Sequence, residues 1–327
     1  MNRRAMLRST LASGALAALP LSRTARADAS RGHDSWQRAF HDAVAVKPQL
    51  LGFQGTNATQ FATPRARLDG KIPAALRGTL YRNGPARHEI GNYRFHHWFD
   101  GDGMVQAYRF TDAGINHQGR MIATHKYVAE SLAGRPLYPG FGSLPPNTRA
   151  VTGPDSVNVA NISMLHHASK LLALWEAGSP HEIDPDTLET RGVYAYAPEM
   201  RGVAFSAHPR VEPDGTLWNF GYVSGAGLIV LWHIDASGKL VKAGRLPVNP
   251  ISMPHDFVVT DRHLVILNPP LDYEPGDATN FLDAHVWHPQ QPTRVIVVNK
   301  NDFSDHFTCE LPAQWVFHFG NAWEDEA

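Results

Sequence analysis

Three histidines of this 327-residue chain sit in a pattern that suits metal chemistry. His208 ends a short apolar approach (Phe205, Ser206, Ala207) and is followed by a Pro213-Asp214-Gly215 turn and the aromatic run Leu217 to Tyr222. His255 opens the apolar run MPHDFVVT, and His318 lies inside QWVFHFGNAW. Each adjoins apolar and aromatic residues of the kind that form strands, so each is read as opening or ending a strand that points into one shared site. Imidazoles without thiolates suit ferrous iron, zinc or nickel. The short HExxH spacing of zinc proteases is missing. The chain has 18 histidines, among them His96/His97, His166/His167, His263, His285, His288 and His306, so the residue type alone selects nothing. His233, after LIVLW, meets the same criterion, and the pattern leaves that choice open.

Glu176 is the carboxylate to attach to these rings. It follows the apolar strand LLALW, where a charge needs a partner. There it would accept the second N–H of a ligating imidazole and fix its tautomer. An exposed glutamate before the Ala177-Gly178 turn is the plainer alternative. Asp256 adjoins His255, but neighbouring strand residues point to opposite faces, which argues against acid–base work with that ring. No nucleophile elbow, phosphate loop or dinucleotide fingerprint is present.

The elements that must position these groups read as β. Residues 1–29 carry Arg3, Arg4 and Arg8, a broken apolar run from Leu11 to Leu21 and small residues around Ala27, the pattern of an export signal. The paired arginines suggest the twin-arginine type, hence a protein exported to a bacterial periplasm. Residues 30–68 form an N-terminal extension with a helix before Pro48. From 69 to 327 short apolar runs alternate with Asp/Gly turns at regular spacing, and the helices that a parallel sheet requires are missing. A β-propeller with divergent blades fits best, ahead of a sandwich.

Several local expectations follow. Asn83-Gly84-Pro85 predicts a turn. Asp100-Gly101-Asp102-Gly103 predicts a hairpin between strands within 93–110, since the glutamate of a calcium loop is missing. Residues 117–130 read as another strand pair. The loop 136–150 offers Leu137, Tyr138, Phe141 and Leu144, either to a substrate mouth or membrane surface or to the loop's own interior. The net charge of −1 gives no footprint for nucleic acid, and the single cysteine, Cys309, excludes an internal disulfide.

The chain resembles the carotenoid cleavage oxygenases. The matching stretches run in order: LRGTLYRNGP (76–85), FDGDGMV (99–105), LLALWEAGSPHEIDPDTLET (171–190), FSAHPRVEPDGTLWNFGY (205–222), PHDFVVT (254–260) and FHFGNAWEDE (317–326). The resemblance implies an all-β, seven-bladed propeller. It also implies an axial Fe2+ on four histidines that activates dioxygen, the co-substrate, to split a conjugated double bond into two carbonyl products. Carried over by motif, His208, His255 and His318 look like three iron ligands, Glu176 braces one of them, and His233 matches no ligand motif.

The family's last third, with its closing blades, further bracing glutamates and fourth histidine, has no counterpart here. Only the N-terminal two thirds of the propeller is expected, with the fourth ligand beyond the end of this chain. The implied partner is an apolar conjugated small molecule. A carotenoid or apocarotenoid is favoured, with a lignin-type stilbene as the alternative, for which Lys126 and Tyr127 lie in a plausible region to meet a phenol. A non-catalytic propeller that binds an apolar ligand is the reading from another class.

Overall fold

A computed structural model describes residues 29–63 and 65–325; the expected export signal lies outside the described residues apart from Ala29. Four antiparallel four-stranded sheets follow one another along the chain. Blade 1 has the order Gln60–Thr63, Gly114–Met121, Asp102–Thr111, Gly78–Arg87. Blade 2 runs Ser163–His167, Lys170–Leu174, His181–Ile183, Thr190–Val193. Blade 3 runs Arg210–Val211, Leu217–Val223, Leu228–Ile234, Leu240–Pro247. Blade 4 runs Phe257–Val259, His263–Asn268, Thr293–Asn299, His306–Leu311.

Tight turns set these registers. Between the last two strands of blade 3, the Asp235 carboxylate accepts the backbone N–H of Ser237 (2.9 Å) and Lys239 (3.0 Å). Gly238 there takes φ +85°, which a side chain would resist. The blades then stack face on face. Val105, Ala107 and Ile122 meet Leu171, Ala173 and Ile183; Leu172 and Leu174 meet Val230, Trp232 and Ile234; Phe220, Ile229 and Leu231 meet Phe257, Leu264 and Ile266. Phe220 and Phe257 join the last pair edge to face, with ring centroids 5.0 Å apart. Each buried Val, Leu, Ile or Phe among them contributes about 1.5–3 kcal/mol, so continuous inter-blade cores hold the strand ends in place.

The structure revises several local expectations. Asn83-Gly84-Pro85 is not a turn but part of the strand Gly78–Arg87, with a bulge between Pro85 and Arg87. That strand is a sheet edge, where proline's missing N–H leaves no ladder bond unmade. Asp100-Gly101-Asp102-Gly103 is not a hairpin turn. Asp100 closes a 3-10 turn, Trp98–Asp100, and Asp102 and Gly103 already belong to the next strand. Glycine is needed at 103 for close approach, because a Cβ there would meet the Ala160 carbonyl oxygen at 2.2 Å.

Residues 117–130 hold one strand end and then a helix, His125–Ala133. Thr124 caps it by accepting the Tyr127 N–H (3.1 Å), and Gly134 ends it in the left-handed region. The loop 136–150 is packed rather than displayed. Leu137 and Tyr138 are buried, and Asp100 draws the loop in by accepting the Ser143 hydroxyl (2.6 Å) and the backbone N–H groups of Phe141 and Gly142. The helix expected before Pro48 spans Ala29–Val46. Gln60–Thr63, placed by sequence in the extension before 69, adds the fourth strand of blade 1.

Candidate metal centre

The first strands of blades 3 and 4 start beside one another, and each is entered through a histidine. His208 precedes Arg210–Val211 and His255 precedes Phe257–Val259. His318 arrives from the opposite direction, on the irregular stretch that leaves the last strand of blade 4. Ligand nitrogens of the three rings lie within 4.8 Å of one another. Ring centroids are 4.6 Å apart for His208 and His255, 4.9 Å for His208 and His318, and 5.2 Å for His255 and His318. His255 is buried, His208 partly so, and His318 exposed.

Glu176 stands where the second strand of blade 2 has just ended, and its Oε2 lies 3.0 Å from His255 Nδ1. Nδ1 therefore carries the proton and donates it to the carboxylate, which leaves the Nε2 lone pair facing the cluster. The other oxygen of Glu176 accepts the Tyr222 hydroxyl (2.8 Å). Burial, reinforced by Glu176, raises the Tyr222 phenol well above its usual range, so it stays protonated and donates. Tyr222 thus aims the carboxylate that aims the ring. Sequence reasoning quoted Tyr222 only as part of an aromatic strand, because which of its neighbours is a carboxylate is decided by blade stacking.

The electrostatics suit a cation. Burial, with His255 nearby, pulls His208 down to about 4, so at neutral pH its ring is uncharged. Burial also disfavours charge on His255, but the Glu176 carboxylate outweighs it and raises the ring's pKa. His208 Nε2 and His255 Nε2 are 2.9 Å apart. Since His255 Nε2 is the acceptor, His208 Nε2–H donates there, and a metal ion held by both rings would take the place of that proton. A histidine-only donor set with a bracing carboxylate fits a divalent first-row metal.

Asp256 behaves as its position next to His255 requires. It faces away from the cluster and pairs with Arg210, whose Nη2 lies 2.8 and 2.9 Å from its two oxygens. His233 lies outside the cluster, stacked on Trp218 at 4.1 Å. Lys126 is wholly buried, 2.8 Å from Glu130 and 3.4 Å from Asp102, rather than open to a ligand. A second group that the sequence did not single out, Asp272, Glu274 and His288, gathers on the two-stranded sheet of Leu271–Tyr273 and His285–Trp287.

Comparison with known proteins agrees with this geometry. Residues 55–327 match the family described as retinal pigment epithelial membrane protein, RPE65. Apocarotenoid-15,15'-oxygenase of Synechocystis sp. is 33% identical over 281 residues, which cover 79% of this chain and 56% of that protein. Isoeugenol monooxygenase of Pseudomonas nitroreducens is 30% identical over 289 residues, covering 85% and 59%. Among solved structures, the cobalt-substituted Synechocystis ACO superposes with a TM-score of 0.77 at 30% identity, over 84% of this chain and 61% of that one. The chain thus spans less than two thirds of these relatives, and its four described blades are blades of a seven-bladed propeller. Propeller blades, converging imidazoles and a match over residues 55–327 agree: the chain belongs to the RPE65, or carotenoid cleavage oxygenase, family.

Proposed function

We propose that this chain is the metal-holding part of an Fe2+-dependent oxygenase that uses dioxygen to cleave a conjugated carbon–carbon double bond of a carotenoid or apocarotenoid. The observation that carries the proposal is the convergence of His208, His255 and His318, with Glu176 on His255. One alkene and one dioxygen give two carbonyl products, so both oxygen atoms are accounted for. Bound iron would supply the one-electron chemistry that lets dioxygen react with a closed-shell alkene. His208, His255 and His318 would hold that iron. Glu176 fixes the His255 tautomer, Tyr222 fixes Glu176, and burial keeps His208 neutral. Three neutral imidazoles leave the metal's charge in place, and the Glu176 carboxylate offsets part of it.

Two observations support a polyene substrate. The relative at 33% identity is an apocarotenoid oxygenase. Lys126, the sequence's suggestion for a phenol contact, is already held by Glu130 and Asp102. The second reading, a phenolic alkene, is supported by similarity to isoeugenol monooxygenase and, at 32% identity over 203 residues, to a Sphingomonas paucimobilis lignostilbene dioxygenase. An export signal in residues 1–29 would place either substrate in the periplasm.

Anaerobic titration with Fe2+, followed by incubation with an apocarotenal, isoeugenol or a hydroxystilbene under labelled dioxygen, tests the proposal. Stoichiometric binding and labelled aldehydes from the apocarotenal are expected. Failure to bind Fe2+ would overturn the metal assignment. Cleavage of the phenolic alkenes alone would select the second reading.

A further inference from the structure

The geometry points to Asp256 as the residue that places His318 in the metal centre, by tying the segment that carries it to the segments of His208 and His255. This inference rests on the proposed metal site. Asp256 adjoins His255, and its side chain is only 2% exposed. One carboxylate reaches all three segments. Arg210, two residues beyond His208, places Nη2 against both of its oxygens, and the Arg210 Nε–H donates to the Phe257 carbonyl (3.0 Å). Phe319, the residue after His318, donates its backbone N–H to Oδ2 (2.9 Å). Oδ1 also accepts the N–H of Phe257 (2.8 Å), which fixes the carboxylate in its own strand.

The His318 segment needs this tie most. It has no strand ladder, and His318 is exposed. Its other anchors lie farther from the ligand, one on either side of it in sequence. Thr293 Oγ1 exchanges hydrogen bonds with Gln314 (2.9 and 3.0 Å), and Glu324 accepts from Thr260 and Arg262 (2.7 Å each). Among the described residues, the Asp256 bond is the one that grips the backbone next to the ligand. A buried carboxylate is costly unless it is paired and hydrogen-bonded, and here Arg210 supplies the charge while the two N–H groups fill the remaining lone pairs. Asparagine keeps the shape but offers one oxygen. In either orientation its NH2 would face Arg210 and one backbone N–H, that of Phe319 or that of Phe257, donor against donor. Asp256 is therefore a positioning residue. It touches no reacting atom and acts through the placement of His318.

The test is a double-mutant cycle on binding of Co2+ alone, read by titration and by the visible absorption of the bound ion, which reports its ligands. Asp256→Asn is expected to weaken binding about tenfold to a hundredfold, the usual effect of losing an outer partner of a metal site. Its cobalt spectrum should come to match that of His318→Ala. In the His318→Ala background, Asp256→Asn should change neither affinity nor spectrum. Equal weakening in both backgrounds, or none in the native chain, would overturn the inference, since a general structural role acts on either background alike.

Thermal melts of the metal-free proteins check folding. Should Asp256→Asn not melt cooperatively, Arg210→Gln is read through the same cycle, with a smaller loss that again disappears without His318. A native chain that binds no Co2+ removes the metal reading itself. A native chain that binds while the cycle shows no coupling removes only the role of Asp256.

Discussion

Among the described residues, two polar clusters are built by opposite rules. In blade 1 and the helix after it, Arg87 and Lys126 face Asp102 and Glu130. Arg87 lies 2.7 Å and Lys126 3.4 Å from Asp102, and Lys126 lies 2.8 Å from Glu130. Glu130 also accepts the N–H groups of Leu137 and Tyr138, and the Lys126 ammonium sits 4.6 Å over the Phe95 ring. Burial disfavours charge on Lys126, yet the two carboxylates outweigh it and raise the amine. Two cations and two anions cancel, so the cluster is electrostatically complete. At the junction of blades 2, 3 and 4, one carboxylate faces three imidazoles, and two Nε2 atoms face each other across 2.9 Å. That cluster carries an excess of lone pairs and of negative charge, which a cation completes. Burial of polar groups is common to both; only the second is left open to a ligand.

The sharpest way to break this comparison is to remove the ring that joins carboxylate and cluster. His255→Ala should abolish stoichiometric Fe2+ binding in anaerobic titration. His233→Ala, which removes a ring stacked on Trp218 away from the cluster, should leave it intact. His288 is a poorer control, because Asp272 and Glu274 beside it can capture an ion of their own.

Lys126→Met tests the closed cluster. It leaves a buried carboxylate without its cation and should cost about 3–5 kcal/mol in urea unfolding, with Fe2+ affinity unchanged in the folded protein. A loss of metal affinity there would mean that the two clusters are coupled.

Glu176→Gln keeps the side chain's size but removes its charge, and should weaken Fe2+ binding about tenfold to a hundredfold. Tyr222→Phe takes away only the hydroxyl that orients Glu176. A loss of about 1 kcal/mol, or roughly fivefold in affinity, is expected from titration. No change would show that Glu176 is held well enough by His255 alone.

Much of this was legible in the sequence because it depends on neighbours along the chain. Apolar runs, Asp-Gly turns and the lack of alternating helices specify a turn-rich β fold, and the motifs around His208, His255 and His318 single out the three rings that converge. The misreadings at Asn83-Gly84-Pro85 and Asp100–Gly103 have one cause. Turn-forming residues were read as turns, whereas the fold uses Pro85 on a sheet edge, Gly103 for close contact with Ala160 and Asp100 to hold a distant loop.

Residue type and order alone thus determined the β architecture, the family and the three imidazoles. Tertiary structure alone decided that Glu176 meets His255 rather than solvent, that Tyr222 braces Glu176, that Lys126 is closed off by Glu130, and that Asp256 faces away from the imidazole cluster yet reaches every segment that carries one of its rings. The reason is physical. A side chain's charge state and hydrogen bonds depend on what lies within about 3 Å of it. In stacked blades those neighbours come from residues far apart in sequence.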